Sequence, residues 1–216
     1  MDMMELRRRI IAAQELPPQY KKVDSIWSYR YGGQIDTGVA GADDLKIQAV
    51  FMIDFFGSYI GLFGNYVSET TNCWRLITTG SDDGSMIGTT NHKTSGGGAS
   101  VAISGGYKNR KIKATLDYET VSFDADGITN TGSTAGKPLG DSNTTNIGIG
   151  NARYVPNSGY YESDIVTWYG FRIWKNNVLI RDYVPCVRMS DSKAGFYEKV
   201  NRTFNQSTGK SDFFTN

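Results

Sequence analysis

Catalysis in this chain would have to rest on its carboxylates, its one histidine or its two cysteines. The glutamates are Glu5, Glu15, Glu69, Glu119, Glu162 and Glu198. A retaining glycan hydrolase needs two carboxyl groups about 5–5.5 Å apart, which a strand supplies by setting acids two residues apart on one face. No Glu-x-Asp-x-x-Glu run occurs, and the nearest approach, Glu162-Ser163-Asp164, falls in a polar stretch. His92 has no serine or cysteine in a nucleophile motif to serve, so a triad is unsupported. One histidine with Cys73 and Cys186 falls short of the four ligands of a structural zinc. The two cysteines read either as buried free thiols or as a long-range disulfide. The expectation is a protein that is not an enzyme, with no catalytic residue and no metal ligand assigned.

Binding chemistry is better represented. Asp82, Asp83, Asp124, Asp126 and Asp141 sit in turn-like sequence and could offer oxygens to calcium, the one cofactor these residues suggest, although Asp-Gly turns serve ordinary hairpins as well. Tyr107, Tyr154, Tyr160 and Tyr161, with Trp168 and Tyr169, are the candidate flat faces for stacking a sugar ring. Charge excludes other partners. With 23 Lys and Arg against 22 Asp and Glu, the chain has no basic excess for nucleic acid, and no run approaches the ~20 apolar residues of a membrane span.

Residues 4–15, MELRRRIIAAQE, predict a short helix with Leu6 and Ile10 on one face, ended by Pro17-Pro18. Residues 1–16 form a docking or oligomerisation peg in this reading, and 17–216 a single domain. From Tyr20 the period changes to short β-branched and aromatic runs separated by Gly, Asn and Asp. These predict strands over Val23–Tyr31, Ile47–Phe56, Tyr59–Asn65, Trp74–Thr79, Ser100–Ile103, Lys111–Leu116, Glu119–Asp124, Thr145–Gly150, Val166–Lys175 and Val178–Val184. Asn176-Asn177 and Asp126-Gly127 predict tight hairpin turns. Residues 80–98 and 126–144, rich in Gly, Ser, Thr and Asn, read as long exposed loops. About ten strands without helical period predict an all-β, two-sheet antiparallel sandwich.

Two segments carry a resemblance. Leu16–Val39, LPPQYKKVDSIWSYRYGGQIDTGV, is similar to an opening LP-x-x-Y-x-x-V-x-x-I followed by Asp-Thr-Gly, here Asp36, Thr37 and Gly38. Near the C-terminus, FRIWKNNVLIRDYVPCVRMSDSKAGFYEKVNRTFNQSTGKSDF resembles the closing pattern of the same family. That family is the concanavalin A-like, laminin-G-like jelly rolls found in phage and prophage structural proteins and in some gut-bacterial surface proteins. The resemblance implies a jelly roll behind a short N-terminal helix. It also implies architectural roles for Arg181, Asp182, Pro185, Cys186, Ser190, Asp191, Gly195, Tyr197 and Asn201. Pro185 is expected to end a strand, and Gly195 to let Phe196 and Tyr197 turn back into the core.

The implied function is a virion structural or appendage protein of a tail, baseplate or capsid-surface fibre. It would be synthesised in a bacterial cytoplasm, since MDMMELRRRIIAAQELPP lacks the apolar stretch of an export signal. Its expected partners are other virion proteins, further copies of itself in a homo-oligomer (a trimer being the working number), and host-surface glycan. A bacterial carbohydrate-binding lectin is the alternative, and a glycan hydrolase the second.

Overall fold

A computed structural model describes residues 15–28, 32–54, 61–79, 84–151, 165–209 and 211–215. The predicted N-terminal helix with Leu6 and Ile10, and the tyrosines 154, 160 and 161, lie outside the described residues. Sixteen strands are described: β1 Tyr20–Lys22, β2 Ile26–Ser28, β3 Ile35–Ala40, β4 Leu45–Ile53, β5 Gly61–Gly64, β6 Cys73–Thr78, β7 Ser85–His92, β8 Ala99–Ala102, β9 Ile112–Asp117, β10 Thr120–Ala125, β11 Ile128–Ser133, β12 Asn146–Ile149, β13 Val166–Lys175, β14 Val178–Arg188, β15 Lys193–Glu198 and β16 Thr203–Asn205. They form two antiparallel sheets packed as a sandwich. One sheet has the order β11-β10-β9-β4-β13-β14-β15-β16, with β1 added to β14 and β2 to β13; the other has the order β3-β12-β5-β6-β7-β8.

Strict alternation builds the larger sheet. In β4, Leu45, Ile47, Ala49, Phe51 and Ile53 are buried while Lys46, Gln48, Val50 and Met52 turn partly outward, the period of two expected of a strand with one wet face. Trp74, Leu76, Phe63 and Ile149 of the smaller sheet meet them in one core. Both predicted tight turns form. Asn176 and Asn177 take φ of 49° and 63°, and Asp126 and Gly127 take 55° and 80°, the left-handed values that a two-residue hairpin loop demands.

The β13–β14 hairpin opens away from its turn. The two strands pair directly from Phe171↔Tyr183 to Lys175↔Val178. Beyond that, β2 takes up the edge of β13 over Val166–Trp168, and β1 takes up β14 over Cys186–Arg188. Pro185 therefore does not end its strand, which runs on to Arg188. Its carbonyl accepts from Val23 N across the opening, so the missing N–H falls where the hairpin has already parted, a place in a sheet that tolerates proline.

Three further expectations change. Residues 80–98 do not form one exposed loop: Ser85–His92 is the inner strand β7, almost entirely buried. Its small residues let the sheets approach, and a methyl on Gly88 would lie 2.5 Å from Val121 Cγ1. Within 126–144, Ile128–Ser133 is the edge strand β11. Gly195 is no turn residue. It lies inside β15, where a side chain would meet Asn205 O at 2.5 Å and the Phe204 ring at 2.8 Å, so its role is close approach of neighbouring chains.

Candidate functional site

Asp36, Thr37, Gly38, Arg181, Asp182 and Asn201 gather at one corner, Ser190 and Asp191 stand at the far end of β14, and all spend their chemistry on the fold. Asp36 Oδ1 accepts from Gly38 N at 2.8 Å, and its Oδ2 accepts from Asn146 Nδ2 at 3.2 Å. Thr37 Oγ1 donates to Ile147 O at 2.7 Å. Arg181 crosses between the sheets: its Nε donates to Thr37 O at 3.0 Å and Nη1 to its own neighbour Ile180 O at 2.8 Å. Asp182 accepts from Arg172 Nε at 2.8 Å. Ser190 and Asp191 occupy the β14–β15 turn, where Asp191 takes a two-pronged bond from Arg188 at 3.0 and 2.6 Å and accepts from Lys193 N. The Arg188 hydrogen bond holds the Asp191 carboxyl below the ordinary carboxylate range.

Beside them stands a residue that the sequence reading gave no role. Glu198 is 1% exposed. Its Oε1 accepts from Asp182 N and Val200 N, both at 2.9 Å, and its Oε2 from Asn201 N at 2.8 Å. Asn201 thus contributes its backbone donor to this carboxylate. Tyr197 is buried, its ring centroid 5.0 Å from that of Tyr20. Cys186 is buried and free, as is Cys73 on β6 in the other sheet. Burial pushes both thiols up to about 12, away from reactivity at neutral pH.

The residues expected to bind ligand fare differently. Tyr107 is 1% exposed and part of the core, so it presents no face to a sugar. Trp168 is likewise buried against Phe51, with ring centroids 5.9 Å apart. Asp82 and Asp83 lie outside the described residues, and the other aspartates of the turns are engaged singly. Asp124 lies 3.6 Å from Lys113 Nζ, Asp126 2.8 Å from Arg110, and the backbone of Asp141 bridges Thr70 and Asn72. Among the described residues no three His, Cys, Asp or Glu gather as a metal site.

Tyr169 is brought to the outer face of the larger sheet by a bulge. The register between β13 and β4 slips between Trp168↔Phe51 and Gly170↔Val50, leaving Tyr169 as the extra residue. Lys111 Nζ stands 4.1 Å over its ring. A shallow cavity of about 110 Å³ with Gln48, Arg172 and Asp182 lies beside it, but there Arg172 and Asp182 already satisfy each other.

A larger cavity, about 220 Å³, opens where turns from both sheets gather, lined by Asp43, Thr90, Asn91, His92, Tyr118, Glu119, Gly136, Lys137 and Leu139. Tyr118 occupies the two-residue turn closing β9 to β10 between Asp117 and Thr120. It is 60% exposed and held at φ 49°, a conformation that L side chains adopt at a cost and that glycine, asparagine or aspartate would take more cheaply. Leu139 on the rim is 65% exposed. His92 is buried, and its Nδ1 donates to Thr90 O at 2.6 Å. Asn91, also at positive φ, donates its amide to Asp43 Oδ1.

The cavity thus combines an exposed aromatic plane, an apolar rim, two carboxylates (Asp43 and Glu119), amide and imidazole groups and an ammonium. That mixture suits a small polyhydroxylated ligand, which needs donors and acceptors at its edge and an apolar surface under its ring. The sequence raised His92 and Glu119 only as catalytic candidates and gave a binding role to none of these residues. They come from separate segments of the chain, and the one local signal is a tyrosine standing where a tight turn ordinarily uses glycine or asparagine.

Comparison with known proteins adds the fold's company and no function. No family model matches the chain, and no curated protein matches it. Among solved structures, the mouse laminin alpha1 chain, domains LG4-5, aligns at 13% identity and TM-score 0.45, over 72% of this chain and 44% of that one. A heptameric SAP-like pentraxin from Limulus polyphemus aligns at 13% identity and TM-score 0.48, over 79% of this chain and 81% of that one. The NanB sialidase from Streptococcus pneumoniae aligns at 15% identity and TM-score 0.45, over 71% of this chain and 26% of that one. The chain spans less than half of the laminin and sialidase structures. What is similar is a two-sheet sandwich, and sandwiches of this kind host unrelated functions.

Proposed function

We propose that this chain is a non-enzymatic recognition domain that contacts carbohydrate through the cavity beside Tyr118. The observation that carries this reading is Tyr118 itself: an exposed aromatic ring in a strained turn conformation, set over a cavity rich in polar groups. Local strain of this kind is retained where it serves a site. The opening and closing segments, similar to those of phage and prophage structural proteins, support placing the domain in a virion appendage, where the cavity would meet host-surface glycan. A free carbohydrate-binding lectin would use the same cavity.

The test is a glycan array followed by calorimetric titration of the best sugar with the full chain and with Tyr118→Ala. Removing the ring should weaken binding about tenfold or more while the unfolding transition stays in place. Sugar binding unchanged by Tyr118→Ala overturns the assignment of the site. Asp43 and Glu119 line the same cavity, so the array products are also examined for cleavage. Hydrolysis abolished by Glu119→Gln would replace recognition with catalysis.

A further inference from the structure

The four outer edges of the two sheets are not equally guarded. At the β3 edge, Arg181 donates to the Thr37 carbonyl. At the other end of the larger sheet, β16 is only three residues long. The remaining edges, β8 (ASVA) and β11 (ITNTGS), have no charge, no proline and no described strand beyond them. They lie against each other, with Gly132 so close to β8 that a methyl there would fall 2.5 Å from Val101 Cγ2. Short strands, charges and covering groups are the devices by which proteins stop an edge from pairing with another chain. This side of the sandwich lacks them.

The register states which backbone groups are offered. β11 pairs with β10 from Ala125↔Ile128 to Thr120↔Ser133, and Thr134 N donates to Glu119 O on the same ladder. In an antiparallel ladder only alternate residues bond to a given neighbour. Ile128, Asn130, Gly132 and Thr134 therefore face β10, and the N–H and C=O groups of Thr129, Thr131 and Ser133 point to the free edge. Those three residues are exposed. Ile128, whose side chain shares the inner face with the buried Ala125, is still 52% exposed, so the apolar face runs past the last strand uncovered.

We infer that β11 is a self-pairing edge, joining a second copy of this chain in antiparallel register about a two-fold axis at Thr131. Thr131 then faces Thr131 of the other copy, and Thr129 faces Ser133, so all three offered pairs of groups are satisfied on both strands. The same register sets Asp126, exposed at the hairpin tip and ion-paired with Arg110 of its own chain, opposite Gly136 of the second copy, next to Lys137, and does so twice by symmetry. A second copy fits this edge because the three offered pairs of groups are self-complementary about Thr131 and the strand carries no charge to repel its own copy. The pairing does not rest on the carbohydrate reading, although Lys137 also lines that cavity, and it predicts a two-fold association where the sequence suggested a trimer.

The test uses the full chain. Sedimentation equilibrium should give a mass that doubles with concentration, and exchange of the Thr129, Thr131 and Ser133 amides should slow about tenfold in the dimer. Thr131→Lys and Thr131→Glu each place like charges on the axis and should be monomeric with the thermal transition retained. Mixed in equal amounts, they should recover the dimer. A wild-type monomer across the accessible concentrations overturns the proposal. So does a dimer in which either variant is unaffected, or one whose β11 amides stay unprotected, which would place the contact elsewhere. An extended peptide that protects the same amides while the wild type stays monomeric would make the edge a docking strand for another protein.

Discussion

The corner where β3, β14 and β15 meet and the cavity under Tyr118 use similar residues to opposite ends. At the corner, Asp36, Arg181 and Glu198 are tied to backbone groups and Asp182 to the Arg172 guanidinium. Around the cavity, Asp43, Glu119 and Lys137 border open space, and Tyr118 and Leu139 are largely exposed. A buried polar group must be satisfied within the protein, so the corner's charges are already spent. Groups free to meet a ligand are found where the chain is held by strand ends and the side chains are left over. In this molecule the residues that carry the family resemblance mark how the chain folds, and the residues that could act lie outside them.

Substitutions can break this contrast. The largest effect is expected for Glu198→Ala, which strands three backbone donors at once and should cost about 3 kcal/mol in urea unfolding without altering sugar affinity. Gly195→Ala forces a methyl against Asn205 O and the Phe204 ring and should cost about 2 kcal/mol. Arg181→Met leaves the Thr37 carbonyl without its charged donor, for a loss of about 1 kcal/mol, again read from the unfolding midpoint. Tyr118→Gly should reverse the pattern. Relief of the left-handed turn, less the added freedom of glycine when unfolded, should raise stability by about 0.5 kcal/mol while sugar binding is lost. A corner variant that abolishes binding with its fold intact, or a Tyr118→Gly variant that binds normally, would erase the distinction.

A separate effect, absent at neutral pH, is the pH dependence set by the thiols. Cys73 and Cys186 rise from an ordinary 9.0 to about 12 in the folded chain. A group raised on folding contributes stability that is whole below its unfolded value and lost as pH climbs toward its folded one. Stability should therefore sag between pH 9 and 12, and less so in a Cys73→Ala, Cys186→Ala double variant. Both thiols should resist alkylation at neutral pH until the chain is unfolded.

How much was legible in the sequence follows from what each element uses. Asn176-Asn177 and Asp126-Gly127 were readable because left-handed turns restrict residue choice, and the sandwich was readable from period-two runs such as LKIQAVFMI. Strands β7 and β11 escaped notice because Ser, Thr and Gly there serve close sheet approach and an uncovered edge, and their composition mimics a loop. Leu179, though apolar and in a strand, is 37% exposed beside the hairpin turn, which composition does not signal. Glu198 was silent because its partners are backbone donors, which every sequence contains. The cavity was silent because proximity among Asp43, Asn91, Tyr118 and Lys137 exists only after both sheets have formed.

The opened β13–β14 hairpin has a consequence for synthesis. The first strands of the domain find their partners only in the last: Tyr20 pairs with Arg188, Ile26 with Trp168, and Trp27 with Phe214. A ribosome adding about 5–20 residues per second therefore exposes Tyr20–Ser28 for on the order of ten seconds or more before the slot that receives it has been made. Until then the larger sheet lacks its central seam. The larger sheet can close around β1 and β2 only after the domain's own last strands have been made.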